Sequence, residues 1–248
     1  SSLRGRAQGQ RNERPLSSGA NGILRMRMLA CARDGLRLRH GRSAIEREEC
    51  KMIDAMDARR SIRKFCATPI PRQDLIEILR SGMKAPSPKN RQPWKYIVVE
   101  GDAKAEMLRV FRAGIAREQA EGALLPQSKK HIAAANYTVD IMAEAPVVVF
   151  VVNPLGKDVS EGLTPEEHVY EICNIQSIGA SIENMLLCAT EKGIGSLWIC
   201  DIYFAYQALC EWLCSEGQLV AAIALGYPNE SPKARPRKRL EDVVSWRS

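Results

Sequence analysis

Eight consecutive residues, PVVVFVVN at positions 146–153, constrain the fold more than any other segment of the chain. The run has the length of a β-strand, and its side chains are apolar on both faces of the strand. Such a strand needs protein on both sides, which predicts a central position in a sheet. Residues 169–192 are the longest helical candidate and are apolar around much of the circumference. This pattern predicts a helix buried in the core or in a subunit interface.

The remaining segments alternate between helical and strand patterns. Residues 52–65 predict a helix that runs into an arginine-rich turn, and residues 73–83 predict a second helix. Further strands are predicted at 94–100, 196–200 and 219–227, and further helices at 102–121 and 130–143. This order predicts an α+β sandwich with a mainly antiparallel or mixed sheet. Because nothing repeats and no interior linker is visible, residues 52–248 are predicted to form one domain after an extension at 1–51.

The net charge of +7 resides in that extension. Residues 1–51 contain 12 Lys/Arg and 5 Asp/Glu, whereas residues 52–248 contain 24 of each class. The body therefore offers no electrostatic support for nucleic-acid binding, and no window supplies the roughly 20 apolar residues of a membrane-spanning helix. The extension has three interpretations: a disordered or non-native tail, which we favour, a transit-like presequence, or a basic arm that binds nucleic acid or membrane.

The cysteines favour a reduced, cytoplasmic protein. Several of them lie inside apolar segments, and their spacing lacks the regularity of a disulfide framework. Cys210 and Cys214 are four residues apart, but a structural zinc site needs a second ligand pair, so no metal is predicted. The eight positions are 31, 50, 66, 173, 188, 200, 210 and 214.

Two basic segments are candidates for binding an anion. One is RRSIRK at 59–64, where guanidinium groups and a hydroxyl are suited to a phosphate. The other lies near the end of the chain, where LGYP at 225–228 is followed by RPRKRL at 235–240. Taken singly, each of them is equally typical of a solvated basic surface.

Two further segments are candidates for binding a planar heterocycle. The sequence APSPKNRQPW at 85–94 is a rigid loop whose amide groups can both donate and accept hydrogen bonds. The sequence GIGSLWICD at 193–201 has two glycines that allow close approach of a ligand to the backbone. Their alternatives are an ordinary proline-rich loop and a helix C-cap that leads into a buried strand.

The order of these motifs resembles the nitroreductase family. RRSIRKF, APSPKNRQPW, GIGSLWI after a long apolar helix, and LGYPNE followed by RPRK occur in the family's order, and the resemblance covers about residues 52–248. It implies a three-layer α+β fold that forms an intertwined homodimer, with two FMN sites at the subunit interface.

The resemblance also assigns roles to residues. Arg59, Arg60, Ser61 and Arg63 are implied to contact the FMN phosphate, ribityl chain and ring edge, with Arg237 as a second phosphate anchor and Lys238 or Arg239 nearby. The loop that the other subunit supplies is implied to contribute Pro86, Ser87 and Asn90. Trp198, Ile199 and Cys200 match the strand end that lies against the flavin ring, where a backbone N–H from about Cys200 or Asp201 faces N5. Many relatives carry glycine near Cys200, so the role of this side chain stays open.

The implied activity is transfer of hydride from NAD(P)H through FMN to a small aromatic acceptor, such as a nitroaromatic or a quinone, by a ping-pong mechanism. No GxGxxG and no GxxxxGK[ST] motif is present, which argues against a Rossmann dinucleotide site and against a P-loop. Residues 110–140 are predicted to form a lid that selects the acceptor. The alternatives are a reductive dehalogenase, a flavin-storing or flavin-cleaving relative and, outside enzymes, a binding protein that uses the basic arm.

Overall fold

A computed structural model describes residues 54–120 and 124–247 of the chain. The sheet contains four strands in the order β1-β2-β4-β3, and every neighbouring pair is antiparallel. All seven residues of β2 are buried, so the prediction of a central strand at 146–153 is confirmed. The strands are β1 (Lys95–Val99), β2 (Val147–Asn153), β3 (Gly195–Ile199) and β4 (Gln218–Gly226).

Six α-helices flank this sheet in the described part of the chain. The longest is α5, which begins with a capping box in which Thr164 and Glu167 bond to each other's backbone N–H. Pro165 at its first position fits because proline lacks only an N–H that would be unpaired there. The helices are α1 (Asp54–Ala58), α2 (Arg72–Gly82), α3 (Asp102–Ala120), α4 (Ile132–Glu144), α5 (Pro165–Glu191) and α6 (Tyr206–Leu213).

Side chains alternate across β2 and create two separate hydrophobic clusters. Val148, Phe150 and Val152 face the layer formed by α3, α4 and α6, while Val147, Val149 and Val151 face the layer of α2 and α5. Helices therefore cover both faces of the sheet, and the predicted three-layer α+β sandwich is confirmed. None of the helices in the ranges given above has the length and apolar content needed to span a membrane.

The segment at 52–65, predicted as a helix that runs into an arginine-rich turn, contains a shorter helix than expected. The helix expected at 52–65 is limited to Asp54–Ala58 within the described residues, because Ser61 and Phe65 form β-bridges to Ser196 and Pro228. Backbone pairing at the sheet edge thus overrides local helix propensity. Residues 110–140, where the lid was expected, include parts of α3 and α4: Phe111 and Val139 are fully buried, whereas most of the other described residues are exposed, so the lid stays a prediction. The predicted extension at 1–51 lies outside the described residues.

Gly114 allows α3 to approach the 3-10 helix Asp201–Ala205 closely, and this contact gives a stability prediction. A Cβ at position 114 would lie 2.5 Å from Ala205 Cβ and 2.9 Å from Ala205 Cα. Alanine improves helix propensity by about 1 kcal/mol, but overpacking a core costs roughly 1–3 kcal/mol. We expect Gly114→Ala to lower the free energy of unfolding, as measured by urea denaturation. Gly162→Ala, where a Cβ meets no atom within 4 Å, is the control and should stay within about 0.5 kcal/mol of the parent.

Candidate functional site

A cationic cavity of about 260 Å³ lies between the end of α1 and the segment that follows β4. Six basic side chains line it, against the single carboxylate of Asp57. The predicted residues Arg59, Arg60, Ser61, Arg63 and Arg237 are brought together here. They are joined by Arg235, from the predicted basic segment 235–240, and by Lys233, which the sequence analysis did not single out. Lys238 is exposed and does not line the cavity. We call this the arginine cavity.

Backbone pairing holds the two walls of the arginine cavity together. Ile62 N–H donates to the Ser196 carbonyl of β3 at 2.9 Å, and Cys66 N–H donates to the Tyr227 carbonyl at the same distance. The Glu230 carboxylate, in the segment after β4, accepts a hydrogen bond from the backbone N–H of Arg63, which lines the cavity. The start of the described chain and the segment after β4 are therefore fixed side by side along the edge of the sheet.

Most positive charge in the arginine cavity has no carboxylate partner. Arg59 contacts Glu183 of α5 at 3.5 Å, and Arg60 donates to the carbonyls of Asp57 and Arg59. No ion pair within 4.0 Å involves Lys233, Arg235 or Arg237 among the described residues. Guanidinium groups that converge in this way bind phosphate through charge-assisted, bidentate hydrogen bonds. The chemistry of the cavity therefore suits a phosphorylated ligand.

The outer edge of β3 leads away from the arginine cavity with open hydrogen-bonding groups. In an antiparallel pair, the backbone groups of alternate residues point to opposite sides. The Ser196 carbonyl points outward, since it accepts from Ile62 N–H, and the N–H groups of Trp198 and Cys200 therefore point outward as well. The Trp198 side chain is 38% exposed, whereas the Ile199 side chain faces the core. Ile199 can thus contribute only its backbone at this edge.

A hydrogen bond fixes the corner at the end of β3. The Thr138 hydroxyl on α4 donates to the Asp201 carboxylate at 2.5 Å. Burial raises the pKa of the neighbouring Cys200 thiol, and the negative charge of Asp201 raises it further. Cys200 is therefore a neutral thiol at physiological pH, which argues against a nucleophilic role.

The loop with Pro86, Ser87 and Asn90 lies outside the arginine cavity. It precedes β1, which is the sheet edge opposite to β3, and three strand spacings separate the two edges by roughly 14 Å. One chain therefore does not bring all the predicted flavin contacts into one pocket.

This loop has an unusual backbone. Lys89, Asn90 and Gln92 have φ values of 54°, 53° and 49°, in the left-handed region that disfavours residues other than glycine. The Ser87 hydroxyl accepts the Gln92 N–H at 3.0 Å, and the Arg91 guanidinium lies 4.9 Å from the centre of the Tyr170 ring. Backbone strain of this kind is concentrated at functional sites and persists because surrounding contacts hold it.

A second and larger cavity, of about 550 Å³, lies between α3 and α6. It is lined by one basic residue, Arg117, together with the acidic residues Glu118 and Asp158. Because its charge is not cationic, it suits a phosphate far less well than the arginine cavity does.

Fold and site together define an α+β sandwich with an anion-binding cavity beside an open sheet edge. The chain belongs to the Nitroreductase family, whose sequence model matches residues 56–227. A protein from Archaeoglobus fulgidus, named as an NADH dehydrogenase/NAD(P)H nitroreductase, is 32% identical over 189 residues, covering 74% of this chain and 87% of its own.

Solved structures have the same fold. A BluB-like flavoprotein from Clostridium difficile is 25% identical with a TM-score of 0.63, over 79% of this chain and 98% of its own. A protein from Desulfovibrio desulfuricans described as a nitroreductase, in complex with FMN, is 24% identical with a TM-score of 0.58, over 79% and 95% of the two chains.

The Asp201 charge gives a prediction for Cys200 that does not depend on any ligand. Asp201→Asn removes a negative charge that raises the Cys200 pKa, so the thiolate fraction at pH 8 and the alkylation rate should both increase severalfold. Iodoacetamide labelling followed by peptide mass spectrometry measures the rate. The exposed Cys214 in the same molecule is the internal control. An unchanged Cys200 rate would mean that the carboxylate does not act on this thiol.

Proposed function

We propose that this chain is an FMN-dependent oxidoreductase that passes hydride from NAD(P)H to a small aromatic acceptor by a ping-pong mechanism. The observation that carries the proposal is the arginine cavity beside the open edge of β3, in a member of the Nitroreductase family. The phosphate-binding character of the cavity favours a flavin that carries a phosphate. The flavoprotein and nitroreductase names of the relatives support the same assignment.

The residues of one chain would hold the phosphate and ribityl parts of FMN. Arg59, Arg60 and Arg63 from the first described segment, with Arg237 from the C-terminal segment, supply positive charge, and Ser61 supplies a hydroxyl. Lys233 and Arg235 extend the same cationic surface. Lys238 is exposed and does not line the cavity, so its charge would act only at longer range.

The edge of β3 would support the flavin ring. The outward N–H groups of Trp198 and Cys200 are donors for a polar ring edge, and the exposed indole of Trp198 offers an apolar surface beside them. When bound, FMN would supply the hydride chemistry between NAD(P)H and the acceptor, so the protein itself would need no nucleophile. The Cys200 thiol is neutral, which agrees with a reaction that needs no nucleophile from the protein.

Three observations support a homodimer that completes each site with the loop of the partner subunit. The loop with Pro86, Ser87 and Asn90 lies at the far edge from the arginine cavity of its own chain. Val169 and Ile172 on α5 are more than half exposed, although large apolar side chains on a long helix are normally covered. The C-terminal segment carries exposed Leu240, Val243 and Trp246, which a second copy would bury.

The acceptor class separates the proposal from its sharpest alternative within the family, a reductive dehalogenase. The sequence shows no acidic, tyrosine and lysine set between residues 110 and 140 that would clamp a halotyrosine, which favours the proposed acceptors. A stopped-flow survey of NADH and NADPH against quinones, nitroaromatics and halotyrosines distinguishes these activities. Fast reoxidation by halotyrosines alone would replace the proposed acceptor class.

FMN binding has a direct test. The purified protein should be yellow, and denaturation should release one FMN per chain, identified by absorbance and mass spectrometry. A colourless protein that cannot be reconstituted with FMN would refute the proposed function.

The phosphate anchors can be tested by charge removal. Each charge-assisted hydrogen bond contributes about 1.5–3 kcal/mol, so Arg59→Ala combined with Arg237→Ala should raise the FMN dissociation constant about a hundredfold or more. Fluorescence quenching of added FMN measures it. Arg239→Ala is the matched control, because Arg239 pairs with Asp242 and does not line the cavity. Equal losses in both proteins would show that general charge, and not the cavity, holds the cofactor.

Sharing of sites between subunits predicts complementation. The double variant Arg59→Ala/Arg237→Ala damages one half of each site, and Ser87→Ala/Asn90→Ala damages the other half. Neither should bind FMN alone, but refolding an equal mixture should restore about one quarter of all sites, since half of the dimers are mixed and each has one intact site. Lack of recovery, with both variants folded and dimeric, would mean that each chain builds its own site.

A further inference from the structure

The corner between β3 and the following 3-10 helix is rigid on both sides. Ile199 and Ile202 are almost fully buried in the cluster formed with α3 and α4, whereas Cys200 between them is exposed. Asp201 is partly buried and directly follows Cys200, whose N–H is the last outward N–H group of the open edge. A charged side chain at this point is not needed to fill the core, since its neighbours already do so.

Thr138 holds that carboxylate from a different layer of the fold. The threonine is 7% exposed, and its hydroxyl lies 2.5 Å from Asp201 Oδ2, which is a short, charge-assisted hydrogen bond. A threonine inside a helix commonly bonds to the carbonyl four residues earlier, but this one reaches across to the corner instead. The hydrogen bond therefore ties the backbone at 200–201 to α4.

The charge of Asp201 is anchored without being neutralised. No basic side chain lies within 4.0 Å of it in the part of the chain that the structure describes. Burial raises the pKa of the neighbouring Cys200 thiol, and the Asp201 carboxylate adds to that effect. A group bound along the same edge would experience this negative potential too, and it would resist gaining negative charge.

We propose that Asp201, oriented by Thr138, is a positioning residue that sets how strongly the site favours oxidised over reduced FMN. The inference rests on the proposed function. The arginine cavity attracts the cofactor through its phosphate, while the fixed carboxylate at the other end of β3 disfavours the additional negative charge of the reduced ring. The hydrogen bond from Thr138 keeps the Asp201 carboxylate in one position, because it prevents the side chain from rotating into solvent.

Two near-isosteric substitutions separate charge from position. Asp201→Asn removes the charge but keeps an oxygen that accepts the Thr138 hydrogen bond. Thr138→Val removes the hydrogen bond but keeps the charge and the side-chain shape. Thr138→Ser retains the hydroxyl and is the matched control. Thermal unfolding of each FMN-loaded protein establishes that the fold is retained.

The midpoint potential of bound FMN and the dissociation constant of oxidised FMN are the two readouts. In Asp201→Asn, the preference for reduced over oxidised FMN should increase about tenfold relative to the parent. For a two-electron couple, this corresponds to a midpoint potential that is about 30 mV more positive. Thr138→Val should weaken binding of oxidised FMN severalfold, because the corner loses its anchor, and Thr138→Ser should match the parent. Neither quantity depends on turnover.

The outcomes distinguish failure of the proposed role of Asp201 and Thr138 from failure of the proposed function. If all the proteins bind FMN with equal affinity and equal potential, the role of the pair is refuted while the proposed function stands. A parent protein that binds no FMN refutes the proposed function itself, and the Cys200 alkylation rate in Asp201→Asn then still reports whether the charge acts at this corner. A potential that becomes more negative in Asp201→Asn would overturn the sign of the proposed effect.

Discussion

The pairing of residues 61–66 with the sheet edge is the interaction on which the candidate site depends. The hydrogen bonds from Ile62 to Ser196 and from Cys66 to Tyr227 add a short extended segment beside β3 and the end of β4. The arginines at 59–63 and the basic residues at 233–237 are far apart in the sequence, and this pairing is what places them in one cavity. In a continued helix, the arginine side chains at 59–63 would have been distributed around the helix axis. They could not then have faced the basic residues of the C-terminal segment together.

The sequence was sufficient to predict the strands and the longer helices, because their patterns are strong. An unbroken apolar run marks β2 as central, and the long apolar period of α5 marks a buried helix. Five of the residues predicted at the phosphate end line the arginine cavity, whereas Lys238 and Arg239, predicted nearby, do not. Local pattern failed where a long-range contact decides the structure. Ser61 pairs with Ser196 of β3 and Phe65 with Pro228 after β4, and neither pairing is visible in the local sequence. The hydrogen bond between Thr138 and Asp201 joins positions 63 residues apart without any motif.

The site has opposite electrostatic character at its two ends. Unpaired cations gather where Ser61 meets the start of β3, and an unpaired carboxylate is held where β3 ends, about 15 Å further along the strand. A ligand with a phosphate at one end and a redox-active ring at the other would meet each potential separately. A change in the arginine cavity would therefore alter affinity while leaving the electrostatic environment of the ring almost unchanged.

The strained loop at 87–92 has a consequence for how two subunits would meet. Its three left-handed residues are already held in a single chain by Ser87 and by the stacking of Arg91 on Tyr170. Little conformational entropy is then left to lose when the loop enters a partner's site, so subunits can associate as nearly rigid bodies. The strain would be stored during folding of each chain, and assembly of the proposed homodimer would benefit from a loop shape that is formed before the subunits meet.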